Sequence, residues 1–285
     1  MPRFAQVWLY SVAILLACAL PASAAEPKKP LRIARAALLE AEDGFSASPE
    51  TEYHGGETLY MAFHVEGFTV DRSDRVKLSY RIDTLDAGGT PLVEPQSGKV
   101  DTELAPEDAK WTPRVRFSAT LPEWVESGLC KLVIHVTDDF TGQRASAELP
   151  FRVQGRGVPP SDSLAVRNFQ FAREENGDPL PAPAYRRGDV LWASFDITGY
   201  KTGNNNLVQV QYELSVFNAE GKLIFRQPQP AEEKGTSFYP RRYVHAAFNL
   251  NLEKSIAPGE YTIVLTTRDE IGHQTNESRH SFTIE

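Results

Sequence analysis

The sequence predicts an all-β chain: two tandem seven-stranded antiparallel β-sandwiches related by internal duplication. Three observations carry that prediction. Residues 53–68 read Tyr53, Gly56-Glu57-x-Leu59-Tyr60, Phe63, Val65 and Gly67-Phe68. Residues 185–200 answer with Tyr185, Gly188-Asp189-x-Leu191-Trp192, Phe195, Ile197 and Gly199-Tyr200, at a constant offset of 132. Self-similarity of this kind marks two copies of one unit. The second observation is period-2 alternation, as in Val76-x-Leu78-x-Tyr80-x-Ile82 and Val208-x-Val210-x-Tyr212-x-Leu214, which places apolar side chains on one face of a strand and polar ones on the other. The third is turn chemistry: Asp86-Ala87-Gly88-Gly89 and Asn218-Ala219-Glu220-Gly221 each close on the glycine a hairpin needs.

In the first copy, strands are expected at 31–39, 58–66, 75–85, 91–94, 112–119, 129–138 and 145–153. In the second they fall at 165–172, 190–198, 207–217, 222–226, 243–250, 260–268 and 278–284. The copies stay in register to the end. Phe117 matches Phe248, Gly128 matches Gly259 and Asp138 matches Asp269, now at an offset of 131, so one residue was lost in a loop between the fourth and fifth strands. The units are therefore 31–153 and 164–285, joined by a linker over 154–163 that contains Gly155, Gly157 and the pair Pro159-Pro160.

Seven short strands per unit, with Pro258-Gly259-Glu260-Tyr261 entering the sixth strand of the second copy, resemble an immunoglobulin-like or fibronectin-III-like sandwich. The resemblance covers both copies. It implies that Tyr261 forms the tyrosine corner of that fold, although the first copy places Cys130 there. The inter-sheet disulfide and its tryptophan are absent, so an antibody-type domain is excluded. Ig topology also implies that the loops 203–206 and 269–272 face the junction between units. Their counterparts, with Asp71, Asp74, Asp138 and Asp139, then sit at the opposite tip.

Residues 1–24 read as a signal peptide: Arg3, an apolar run from Val7 to Leu20, and an Ala22-Ser23-Ala24 cleavage site. A flexible segment, 25–30, follows. The apolar run is shorter than the about 20 residues a membrane span needs, and no later stretch approaches that length, so no transmembrane segment is expected in the mature chain. Localisation is expected to be periplasmic or secreted. Leu15-Leu16-Ala17-Cys18 resembles a bacterial lipobox, which leaves a lipid anchor through Cys18 as the alternative. Cleavage after Ala24 leaves Cys130 as the one cysteine, so no internal disulfide forms. Its alternation with Leu132 and Ile134 marks it as a buried small hydrophobe.

The net charge of −8 becomes −9 once Arg3 is removed. That balance argues against nucleic acid and anionic membrane surfaces as partners. No G-x-S-x-G, H-E-x-x-H, C-x-x-C or phosphate-cradling glycine loop is present, the six histidines are scattered, and no enzyme activity or cofactor is expected. The binding residues singled out are Trp111, Trp124, Tyr239, Arg241, Arg242 and Tyr243, because exposed aromatics and arginines recur at interface hot spots. The competing reading is that these rings close the open edges of a sandwich. Asp71, Asp74, Asp138 and Asp139 are the calcium candidates, set against the habit of aspartate to organise turns. Arg187-Gly188-Asp189 falls on the repeat's own Gly-acid position and reads as coincidence. The expected function is an exported, non-catalytic binding or spacer protein whose partner is an envelope or extracellular protein or a polysaccharide. The alternatives are a carbohydrate-binding module, or an accessory or inhibitor of an exported enzyme that inserts the loop from Phe238 to Tyr243.

Overall fold

The computed structural model describes residues 30–108 and 110–285. The signal peptide, Cys18 and residues 25–29 lie outside the described residues. Residues up to Gln154 supply eight strands: β1 (Arg32–Leu39), β2 (Glu52–His54), β3 (Thr58–Glu66), β4 (Arg75–Leu85), β5 (Gln96–Glu103), β6 (Arg114–Thr120), β7 (Gly128–Asp138) and β8 (Arg144–Gln154). The later residues supply nine: β9 (Ala165–Ala172), β10 (Ala184–Tyr185), β11 (Val190–Thr198), β12 (Val208–Asn218), β13 (Leu223–Arg226), β14 (Ala231–Gly235), β15 (Tyr243–Asn251), β16 (Gly259–Asp269) and β17 (Gln274–Ile284). Two short 3₁₀ turns are the only helical pieces among the described residues. No helix among them is long and apolar enough to cross a membrane.

The strands form four sheets. β1-β3-β6 and β2-β8-β7-β4-β5 come from the earlier half of the chain. β9-β11-β15 and β10-β17-β16-β12-β13, with β14 also on β12, come from the later half. Alternation makes each strand two-faced. In β3, Leu59, Met61, Phe63 and Val65 are buried together with Leu78, Ile82, Leu132 and Ile134 of the facing sheet, in one core. Leu191, Phe195, Leu214 and Ile263 play the same part later in the chain.

The structure differs from the alternation pattern at the edges. The fourth strand expected at 91–94 is a single bridge, Leu85↔Pro91, and the strand runs instead over Gln96–Glu103. That edge strand has no buried residue, so hydrophobicity does not mark it. β14 is polar for the same reason. β2 and β10 pair in parallel with β8 and β17, each carrying a buried tyrosine, Tyr53 or Tyr185, from the repeat. The corner carried by Tyr261 is formed: its hydroxyl donates to the Ala257 carbonyl at 2.8 Å. Cys130 is buried, and burial, followed by the Asp86 charge, pushes its thiol up to about 11.

Both three-stranded sheets carry a β-bulge in their first strand or its pairing. Register shifts between Ala34 and Ala37 in β1, and between Ser194 and Asp196 along the β11–β9 pair. At each bulge a non-glycine residue adopts the left-handed region, Arg35 at φ 51° and Asn168 at φ 48°. Such a conformation turns the side chain away from the strand's regular alternation.

Candidate functional site at the junction

The segment between β14 and β15 is held from its own side by side chains. Asn206 Nδ2 donates to the carbonyls of Ser237 and Phe238 at 3.1 and 2.8 Å, and Ser237 Oγ to that of Tyr239 at 2.8 Å. Tyr200 and Thr198 hydroxyls donate to the carbonyls of Arg241 and Arg242 at 2.7 and 3.1 Å. These five bonds hold the loop from the side of the later half.

What it meets is the earlier half of the chain. Tyr239 is 2% exposed and packs in the core of residues 31–153. Its hydroxyl donates to Asp86 Oδ2 at 3.0 Å. Asp86 is free to accept there because Oδ1 is already used by the amides of Gly88 and Thr90, at 2.9 and 2.7 Å, within its own turn. Burial, and then the bond to Asp86, push the Tyr239 hydroxyl well above its ordinary value, so it remains a donor throughout the neutral range. Trp124 Nε1 donates to the Tyr239 carbonyl at 3.1 Å, and the Arg241 guanidinium lies 4.9 Å from the Trp124 ring centre. Arg241 also pairs with Glu233 at 2.9 Å, and Arg242 with Glu126 at 3.2 Å.

The linker adds a second attachment. Ser127 Oγ accepts from the Gly155 amide at 3.0 Å, and a Cβ on Gly155 would run into the Val125 carbonyl. Further along, Arg156 Nε reaches Asp196 at 3.0 Å and Asn168 Nδ2 donates to the Gly157 carbonyl at 3.0 Å. Asp196 is fully buried and also accepts from Asn168 Nδ2 at 2.8 Å and His245 Nδ1 at 2.9 Å. Burial alone would raise its pKa, but the bonds from His245, Asn168 and Arg156 outweigh it and hold the carboxyl below the usual carboxylate range.

Trp124, Tyr239, Arg241 and Arg242 are therefore brought together, with Tyr243 near enough for the Arg241 charge to act on its hydroxyl. Tyr243 opens β15 opposite Thr198, half-buried, with its hydroxyl raised by burial. Trp111 lies elsewhere, edge-on to Phe68 at 6.1 Å. Of the four calcium candidates, Asp71 and Asp138 accept backbone amides within turns. Asp138 is fully buried and accepts from the amides of Thr69, Phe140 and Thr141 at 2.8 to 3.1 Å. Asp71 Oδ1 takes the amides of Ser73 and Arg75, Asp139 takes the Ser79 hydroxyl, and Asp74 sits at φ 56° in the same turn. No group of three or more metal-ligating side chains is placed to hold an ion among the described residues. Sequence reasoning did not single out Asp86, Arg156, Asn168, Asp196 or His245. Asp196 and Asn168 fall on strand positions where polar residues are ordinary, so no local signal distinguishes them.

No family model matches the chain, and no curated protein does. Among solved structures, it is similar to the C-terminal domain of the Streptococcus pyogenes antigen I/II-family protein AspA, with a TM-score of 0.33, 10% identity, and coverage of 90% of this chain and 100% of that one. The C-terminal domain of the Streptococcus agalactiae AgI/II polypeptide BspA gives a TM-score of 0.31 and 12% identity at the same coverage. Likeness at those TM-scores carries no argument about function.

Proposed function

We propose that this chain is an exported, non-catalytic binding or spacer protein, built from two copies of an Ig-like sandwich at 31–153 and 164–285 and clamped at their junction. The observation that carries this reading is the burial of Tyr239, a residue of the later half, in the core of the earlier one. A ring of that size buries 150–250 Å², and its hydroxyl bond to Asp86 fixes its orientation as well as its depth. Two modules joined in this way present their outer sheets and loops at a set distance and angle, which suits a platform or spacer. Inserting the loop from Phe238 to Tyr243 into an exported enzyme would first require breaking these contacts, so the geometry favours the spacer over the inhibitor. The partner is an envelope or extracellular protein or a polysaccharide.

Two measurements test this. Small-angle scattering of the mature chain and of Tyr239→Ala should show one narrow distance distribution for the first and a broadened one for the second. Identical broad distributions would sink the clamp. Mass spectrometry of the exported chain should find Ala25 as the first residue; a lipidated Cys18 would establish the anchored form, and an intact leader in the cytoplasm would overturn export.

A further inference from the structure

The outer faces of the two three-stranded sheets are built to the same register but carry opposite chemistry. In β9-β11-β15, Asp196 stands opposite Arg167 and His245, and the bulge residue Asn168 turns its amide onto it. In β1-β3-β6, the corresponding place opposite Ala34 and Arg114 belongs to His64, and the bulge residue is Arg35. The later sheet thus supplies its own anion to the groups gathered round it. The earlier sheet gathers Arg35 and Arg114 and supplies no anion at that place among the described residues.

Arg35 Nη2 and His64 Nδ1 both approach Thr112 Oγ1, at 3.2 and 3.3 Å. Arg114 shares Asp43 with Arg116, at 3.2 and 2.7 Å, and Arg35 makes no ion pair among the described residues. Arg35, His64 and Arg114 line an open concavity of about 470 Å³ together with Ala37 and Ala62. Phe45 stands at its rim, 86% exposed, beside Ser46. An aromatic ring that exposed, next to hydroxyls and guanidinium groups, has the composition of a site for a ligand with both an apolar face and a charge. Burial, then the charges of Arg35 and Arg114, lower the pKa of His64, opposed by its bond to Thr112 and by the Glu66 charge. At neutral pH the ring is therefore uncharged, and an anion bound between the arginines would raise its pKa.

We propose that the concavity over Arg35, His64 and Arg114 binds the carboxylate of an acidic sugar, with the Phe45 ring against the sugar's face. Arginine suits this task because its planar fork matches a carboxylate with two parallel hydrogen bonds. The site stands apart from the junction: a loosened junction leaves the concavity intact, and an empty concavity leaves the clamp untouched.

The test is calorimetry on the whole mature chain with trigalacturonate, its fully methyl-esterified counterpart, sodium sulfate and hexaglutamate. Trigalacturonate should bind and shift the His64 ring resonances, with the ester at least about tenfold weaker, the loss expected for one charge-assisted contact. Arg35→Asn should weaken binding about tenfold or more while leaving the fold intact, because asparagine already occupies the left-handed bulge at position 168. Arg81→Ala, on the opposite sheet and paired with Asp83, should bind as the parent does. Equal binding of the ester, retention of affinity in Arg35→Asn, or no heat at millimolar trigalacturonate overturns the proposal. Sulfate competing as well as the sugar reduces the site to a charge sensor. Hexaglutamate binding in place of trigalacturonate makes it a peptide site. Each of the last two outcomes refutes the acidic-sugar assignment.

Discussion

Asp196 and His64 hold the same register position in two similarly built sheets, yet one is sealed and the other open. Asp196 has three donors within 3.0 Å and no exposed surface. His64 has Thr112 and two arginines beside it, and a concavity in front. The difference shows how one bulged sheet can serve as an internal fastener or as a surface. Where the linker crosses the sheet, a carboxylate is needed to hold Arg156. In the earlier sheet the bulge residue Arg35 is exposed among the described residues. The same division separates Tyr261, which closes its corner by a hydroxyl bond to Ala257, from Cys130, whose buried thiol fills the equivalent place.

The junction gives the largest expected effect. Tyr239→Ala empties a buried site in the earlier half and should cost about 3–4 kcal/mol in urea unfolding followed by Trp fluorescence. Tyr239→Phe keeps the ring but leaves Asp86 without its outside donor, at a cost of about 1–2 kcal/mol. A large loss on truncation and a small one on hydroxyl removal would place most of the clamp's strength in packing. Equal losses would place it in the hydrogen bond. An alanine variant as stable as the parent would show that the two halves do not share a core.

Asp196 comes next. Replacing it with alanine leaves Arg156 and His245 without their shared carboxylate. Removing one partner of a buried pair costs about 3–5 kcal/mol, but Arg156 and His245 are each 38% exposed and regain water. About 2–3 kcal/mol is therefore expected. His64→Ala, at the matching position, should cost well under half of that. The pH dependence has a definite sign. The carboxyl of Asp196 is depressed in the folded chain, so its contribution is fully present above the unfolded value near about 3.9 and is lost as pH falls through the lower folded value. Unfolding curves of the parent should converge on those of Asp196→Ala below that window; a constant gap down to the lowest pH would remove the electrostatic account.

The central strands are written openly in the chain because β3 and β11 must bury every second residue, and Leu59, Phe63, Leu191 and Phe195 show it. The turn at Asp86 is equally visible, since its two glycines and its aspartate act locally. The edges are hidden because strands such as Gln96–Glu103 bury nothing and are held by backbone pairing, which any sequence can supply. The aromatics of the loop before β15 are visible as aromatics, but their destination is not: Tyr239 and Asp86 lie 153 residues apart. Arg35 and Asn168 are harder still, because a left-handed bulge at a non-glycine residue leaves no mark in composition.

The Tyr261 and Cys130 corners differ by less. Tyr261→Phe removes one hydroxyl bond to Ala257 and should cost about 1 kcal/mol. The Cys130 thiol, at about 11 against an ordinary 9.0, should be ionised about a hundredfold less than a free cysteine at pH 8. Alkylation of the folded chain should be slowed at least in that proportion, and burial will slow it further. Labelling at the rate of a free thiol would mean that this corner opens, and that a buried thiol is a poorer closure than the tyrosine hydroxyl used by its counterpart.

The smallest effect separates the two arginines of the junction. Arg241 lies over Trp124 and is mostly covered, whereas Arg242 and Glu126 are 59% and 48% exposed. A cation over an indole face contributes about 0.5–1 kcal/mol or more when partly desolvated, while an exposed pair adds little once solvent screening and side-chain entropy are counted. Arg241→Ala should therefore cost about 1 kcal/mol, and a double-mutant cycle on Arg242 and Glu126 should give a coupling below about 0.5 kcal/mol that vanishes in high salt. A coupling as large for the exposed pair as for the covered one would mean that the two halves are held by their rim as much as by the buried tyrosine.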